Sequence, residues 1–352
     1  MSFWEDIFNV NKRVVGLSPM DGVSDAAFRY MVGKYGRPDV MFTEFVSVDA
    51  LHYATGERRE RLLKTFVRAR DIKPSNHYTI TPFEVAQVFG HTPEFFAEAA
   101  VLVESLGFDG IDINMGCPAH NVEEQGSGAG LIRTPKLAQE LIRVTREATV
   151  LPVSVKTRIG IKDKSEMEEW IMVLMEAKPV VISLHGRTLR QLYQGKADWE
   201  TIGRAGRIVH KMGGHILGNG DMTSLQQAAY SVEQYGVDGV LIGRAAEGNP
   251  GIFAKSQISN SQILQLEPTR EQRLAWAVEH AKIFEKIVTE RVQPLKSEQA
   301  TLRVEPSKLF MPMRKHLAWY CRGFPGAVEL RMKLMQANSA DEVELVLKGL
   351  IL

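Results

Sequence analysis

Short runs rich in Val, Ile and Leu alternate with longer segments whose apolar residues recur every three or four positions, and the alternation persists through the first two thirds of the chain. Extended runs occur at Val14 to Met20, Val40 to Phe45, Val85 to Phe89, Gly110 to Asn114, Val153 to Thr157, Val180 to His185, His215 to Asn219 and Gly239 to Ile242. These eight strands are apolar enough to be buried on both faces, as strands of a parallel sheet are. Eight strand-helix units within roughly 250 residues match the usual size of a closed (β/α)8 barrel. A doubly wound sheet would have fewer strands and a glycine fingerprint after the first, whereas the first strand here ends in Ser18-Pro19-Met20-Asp21. The expectation is an α/β fold, a TIM barrel, with functional residues at the C-terminal rim of the strands. Those positions hold Met20 and Asp21, Glu44, Gln87, Asn114 to Cys117, Lys156 and Arg158, His185 to Thr188, Asn219 to Asp221, and Gly243-Arg244.

Past Gly251 the pattern changes to a polar stretch, Ser256 to Gln265, then to Glu-, Lys- and Leu-rich sequence with helical periodicity. This predicts a barrel domain over 1–255 and a C-terminal helical domain over 256–352. With 43 Lys+Arg against 42 Asp+Glu the net charge is +1, which excludes a histone-like binder and leaves any polyanion to a local patch. Such a patch lies between Arg303 and Lys333, where seven basic residues meet two acids beside Trp319 and Tyr320. Basic residues mixed with aromatics suit an RNA surface, and the same run also fits a solvated helix face over buried aromatics. A second basic run, Arg58 to Lys73, admits the same two readings. Two cysteines, Cys117 and Cys321, are too few for a disulfide framework and lack the paired spacing of a zinc site, so a reducing cytoplasm and no metal are expected. Met1 to Asn11 carries Glu5 and Asp6 without a basic start, and no run of about 18 apolar residues occurs, so neither export nor a membrane span is expected.

Several rim residues suggest chemistry. Gly218-Asn219-Gly220-Asp221 and Gly243-Arg244-Ala245-Ala246 end the last two strands, where small residues let backbone N–H groups approach a phosphate and Arg244 can add bidentate charge. The same glycines would equally serve tight turns. Lys156 ends an apolar strand and needs an anionic partner, either a reduced flavin ring, negative at N1, or a carboxylate such as Asp112 or Glu44. His185 lies in the donor-rich run Leu184-His185-Gly186-Arg187-Thr188, as a ligand contact or a structural histidine. Cys117, in Asn114-Met115-Gly116-Cys117-Pro118, precedes the small-residue loop Gly126 to Gly130. A thiol of ordinary pKa, about 8.5, is protonated at neutral pH and suited to deliver a proton to carbon; inert packing is the alternative, and the one expected for Cys321.

Together these segments resemble the tRNA-dihydrouridine synthases, flavoenzymes that reduce a uridine in tRNA. The resemblance rests on Leu17 to Asp25, Asn114 to Pro118 with Gly126 to Gly130, Val155 to Arg158, His185 to Thr188 with Gln191, Tyr193, Gly195 and Ala197-Asp198-Trp199, Asn219 to Asp221, Gly243-Arg244, and Arg314-Lys315-His316. It implies that Pro19, Met20, Gln87, Lys156, His185, Asn219, Asp221, Gly243 and Arg244 hold flavin mononucleotide (FMN), that Cys117 is the general acid, and that Asn114 and Arg187 meet the uridine. It further implies that the helical domain, with Arg314 and Lys315, grips tRNA, that NADPH re-reduces the flavin, and that no protein partner is obligatory.

Overall fold

A computed structural model of the chain describes residues 2–10, 13–72, 82–254, 267–289, 306–348 and 350. The strands are β1 (Val14–Leu17), β2 (Val40–Ser47), β3 (Phe83–Phe89), β4 (Gly110–Met115), β5 (Val153–Arg158), β6 (Val181–His185), β7 (His215–Asn219) and β8 (Gly239–Ile242). All are parallel neighbours in chain order, and the pairing of Val14 with Gly239 and Leu17 with Ile242 closes the barrel. Each crossover after β3 contains a helix, as a parallel connection requires. Local chemistry marks where they start: Asp198 accepts from Thr201 N (2.9 Å) at the head of helix Trp199–Lys211, and Ser224 from Gln227 N (3.1 Å) at the head of helix Leu225–Tyr235. The expected eight-stranded TIM barrel is therefore observed, with helices following it in the chain.

The register breaks once, between Phe42 and Phe45 in the β2–β3 pair. Thr43 Oγ1 fills the gap by accepting from Gln87 N (2.9 Å) while donating to Glu44 O (2.6 Å). Gln87 thus lies inside β3, not after it.

The lower end of the barrel is sealed by an amphipathic helix, α1 (Phe3–Val10). Phe3, Trp4 and Ile7 join Val14, Val40, Phe42, Val85, Val181, Leu217 and Leu241 in one apolar cluster. Several of these residues lie at the N-terminal ends of the strands, and Phe3 stacks on Phe83 with ring centroids 4.8 Å apart. Burying side chains of this size stabilises by about 1.5–3 kcal/mol each.

The chain divides into two compact units: Met1–Pro19, Asp39–Ala54 and Phe83–Gly243 in the first, Met20–Pro38, Thr55–Pro82 and Arg244–Leu352 in the second. The second unit thus takes in two segments from between the early strands, a partition that a single break at 255/256 does not express. Its internal contacts give the reason. In α2 (Ala26–Tyr35), Lys34 Nζ donates to Glu279 Oε1 (2.6 Å) and the Tyr35 hydroxyl to Glu279 Oε2, tying α2 to helix Arg270–Thr289. The stretch read as a linker, Ser256 to Gln265, lies outside the described residues, as do Lys73, Arg303 and Glu305 of the basic runs. Among the described residues no helix is long and apolar enough to cross a membrane.

Candidate active site

At the upper end of the barrel the inward positions turn polar, and their side chains form a hydrogen-bonded chain. Asp112, fully buried on β4, accepts from Ser154 Oγ (2.6 Å) and from Gln87 Nε2 (2.7 Å). Gln87 Oε1 in turn accepts from Asn114 Nδ2 (3.0 Å), and Asn114 Oδ1 accepts from the backbone N–H groups of Gly116 (3.0 Å) and Cys117 (2.9 Å). A carboxylate has no proton to donate, so Asp112 dictates which way the Gln87 amide faces, and Gln87 dictates Asn114. The turn carrying Cys117 is therefore held by a residue on the same strand and, through it, by β3 and β5.

A second support holds the same turn. Arg158 Nε donates to Gly116 O (2.7 Å), while its Nη1 donates to Thr188 O (3.1 Å) and Leu192 O (3.0 Å). Ala129 N donates to Cys117 O (3.1 Å). The small-residue loop requires a glycine here: a Cβ at Gly128, where φ is +56°, would lie 2.9 Å from Cys117 O and 3.2 Å from Cys117 Cβ. Cys117 itself is half-buried, and its position bears on the electrostatics of both Lys156 and Arg158. Cys321, in contrast, is buried, and burial pushes its thiol up to about 11, as an inert packing residue would be.

Lys156 ends up beside neither carboxylate as a hydrogen-bond donor. Its Nζ donates to Asn219 Oδ1 (3.1 Å), and Asn219 Nδ2 is held by Leu241 O (3.0 Å). Desolvation first, then the charge of Arg158, lowers the ammonium to about 8, against the opposing pull of Asp112 and Cys117. Burial likewise raises Asp112 to about 6, although Ser154, Gln87 and Lys156 all favour its ionised form. The donor set fits a flavin. An ammonium has three N–H groups, and among the described residues Nζ meets one neutral acceptor, which leaves donors for the electron-rich edge of the ring. His185 and Asn219, each 9% exposed, end the neighbouring strands β6 and β7, whose register sets them side by side.

Two expected ligand residues are engaged with each other. Arg187, 2% exposed, donates to Asp221 Oδ1 (3.0 Å) and Oδ2 (2.7 Å), and also to Gln194 O (3.1 Å) and Gly195 O (2.6 Å). Asp221, in the left-handed region at φ 56°, also accepts from Ala197 N (2.9 Å). Their bidentate pair staples the loop after β6 to the turn after β7. Of the other expected residues, Pro19 follows β1 closely and Gly243 follows β8 directly. In the second unit, Met20 opens a turn closed by Ser24, whose N–H donates to Met20 O (2.9 Å) and whose Oγ accepts from Met20 N (2.9 Å). Arg244 is exposed at the start of a short 3-10 turn. Lys315 Nζ lies over Gly22, 2.6 Å from where a Cβ would stand, and Arg314 clamps Ala337 O (3.0 Å) and Asn338 Oδ1 (2.9 Å).

Residues 16–350 match the family described as dihydrouridine synthase. The chain belongs to that family. It is 34% identical over 350 residues to the probable tRNA-dihydrouridine synthase 2 of Bacillus subtilis, covering 98% of this chain and 95% of that one. It is 32% identical to the probable tRNA-dihydrouridine synthase 1 of Synechocystis (92% and 82% covered), and 33% identical to the probable tRNA-dihydrouridine synthase of Staphylococcus aureus strain COL (94% and 91%). Among solved structures, histamine dehydrogenase from Rhizobium sp. 4-9 superposes with a TM-score of 0.53 at 13% identity, over 76% of this chain and 48% of that one. A 2-naphthoyl-CoA reductase gives 0.51 at 10% identity, over 68% and 49%. The chain spans about half of each, and at that identity the likeness is one of fold. The synthase family supplies the context in which the polar rim and its cysteine are to be read.

Proposed function

We propose that the protein reduces a uridine of tRNA to 5,6-dihydrouridine, with FMN as bound cofactor and NADPH as electron donor, in the cytoplasm. The observation that carries this reading is the hydrogen-bonded chain from Asp112 through Gln87 and Asn114 to the Cys117 turn, beside the Lys156–Asn219 pair, in a member of the dihydrouridine synthase family. Bound FMN, reduced by NADPH, would supply a hydride to C6 of the uracil.

The chain's own residues do the rest. Lys156, His185, Asn219 and Gln87 would hold the ring, and Pro19, Met20, Gly243 and Arg244 the remainder of the cofactor. The uridine must leave its stack to bring C5=C6 to the rim, where Asn114 would help place it. The Cys117 thiol protonates C5 as negative charge develops there. Arg187 and Asp221 act as positioning residues, because their side chains are already paired. Residues 256–352, with Arg314 and Lys315, would bind tRNA.

The test is Cys117→Ala. It should retain FMN and NADPH oxidation while uridine reduction in unmodified tRNA falls about 100-fold or more. Undiminished reduction would reject Cys117 as the acid, and a protein that cannot be loaded with FMN would reject the flavin reading itself.

A further inference from the structure

Three side chains of the second unit come together without a part in the uridine chemistry. Asp25 caps α2, His280 lies in helix Arg270–Thr289, and His316 lies in helix Met313–Tyr320. One ring nitrogen of each histidine and one carboxylate oxygen of Asp25 all fall within 4.8 Å of one another. Both imidazoles are buried, at 0% and 1% exposure. Among the described residues, His280 Nε2 and both ring nitrogens of His316 have no hydrogen-bond partner, although His316 Nε2 stands 3.2 Å from Asp25 Oδ2. Buried polar atoms are nearly always paired, so unpartnered ring nitrogens on both histidines, with one nitrogen of each close to the Asp25 carboxylate, call for a common partner.

The surroundings orient these atoms as ligands. The Tyr320 hydroxyl lies 3.2 Å from His280 Nδ1. When that nitrogen donates to the hydroxyl, the ring's lone pair sits on the unpartnered Nε2, the tautomer that an outer partner fixes in a ligating histidine. Asp25 Oδ1 accepts from Phe28 N (2.9 Å), which leaves Oδ2 toward the histidines. The rings of Phe28 and Trp319 flank His316 at 5.5 and 5.0 Å, an apolar wall, while the Asp25 side chain keeps 20% exposure as a route from solvent. Zn–N and Zn–O bonds of about 2.0–2.2 Å place tetrahedral ligands about 3.3 Å apart, a spacing the donors reach by closing from the 4.8 Å within which they lie.

We propose that Asp25, His280 and His316 form a binding site for a divalent transition metal, zinc by its donor set, with a fourth position for water. The ion would pin the start of α2 to two C-terminal helices. The proposal is independent of the flavin reading, because no residue of the barrel rim takes part.

The experiment uses the full-length, tag-free protein, incubated with zinc sulfate, desalted into metal-free buffer and assayed by mass spectrometry of the metal. About one zinc per chain is expected, falling about tenfold or more in His280→Gln and in His316→Gln. His210→Gln, which alters an exposed pair with Asp238, should keep it. Cobalt loading of the wild-type protein should give the visible d–d absorption of a four-coordinate ion, a readout that needs no variant to fold. Substoichiometric zinc, no such cobalt absorption in the wild type, or undiminished metal in both glutamine variants would overturn the site.

Discussion

The two ends of the barrel are built by the same strands and differ within a single step of the pleat. Inward positions on a strand recur every second residue. On β3 they run from Val85 to Gln87, on β6 from Val181 through Ser183 to His185, and on β7 from Leu217 to Asn219. Below, Val85, Val181 and Leu217 join the cluster sealed by Phe3, Trp4 and Ile7. Above, Gln87, Asp112 and Asn114 form one hydrogen-bonded set and Lys156 and Asn219 another, and each contains a group desolvated against its charge. The lower end therefore supplies stability and the upper end opposes it. The opposition is what chemistry requires, since a donor or acceptor already fully solvated has little to offer a ligand.

The largest test of that division is Trp4→Ala. Trp4 is 1% exposed and stacks within the plug, 6.5 Å from the Phe42 ring. Emptying such a position costs about 3–5 kcal/mol. Chemical denaturation should show that loss, while turnover per folded molecule stays at the wild-type level. A matching loss of turnover would mean that the two ends are not separable.

Lys156→Met makes the opposite change at the other end. The folded ammonium titrates near 8, below its ordinary 10.5, so the folded state disfavours the charged form. The penalty is full below pH 8, shrinks as pH rises from 8 toward 10.5, and vanishes above that. For the flavin-free protein at pH 7, Lys156→Met should raise stability by about 2–3 kcal/mol and weaken FMN binding. An unchanged unfolding free energy, or a gain that persists at pH 11, would contradict this account of the buried charge.

The barrel was legible in the sequence because its strands are short, apolar and separated by helical periodicity, and all eight lie where those runs predicted them. The rim was legible for a related reason: a polar residue in an apolar strand is costly to bury unless a ligand or a hydrogen-bonded network meets it, as with Lys156 and Asn114. Other features depend on contacts that spacing does not carry. Phe3, Trp4 and Ile7 mark an amphipathic helix, but nothing in eight residues says which end of a barrel it closes. Arg187 read as a ligand donor because its partner, Asp221, belongs to another loop, and each by itself has the chemistry of a ligand contact. Asp25, His280 and His316 are scattered over most of the chain, and metal motifs are recognised from sequence only when their ligands are locally spaced.

Asp112→Asn sharpens the comparison with the smallest change of atoms. The wild-type carboxylate accepts from both Ser154 and Gln87, which fixes the Gln87 amide. An asparagine presents an N–H2 group as well, so Gln87 can turn its oxygen toward residue 112 and its nitrogen toward Asn114. Asn114 then meets donor against donor, and turning it withdraws Oδ1 from the N–H groups of Gly116 and Cys117. Uridine reduction should fall about tenfold, the scale of an outer-partner loss, and FMN should bind more weakly as well, because the turned Gln87 amide is among the groups proposed to hold the ring. Stability should move the other way. Because burial raises the folded carboxyl from 3.8 to about 6, its penalty is absent below pH 3.8, grows between 3.8 and 6, and is full above 6. The flavin-free variant should therefore be more stable than wild type by about 1–2 kcal/mol above pH 6, with the gap closing toward pH 4. A variant that is less stable at pH 8, or one that reduces tRNA at the wild-type rate, would show that Asp112 packs the barrel instead of aiming the cysteine turn.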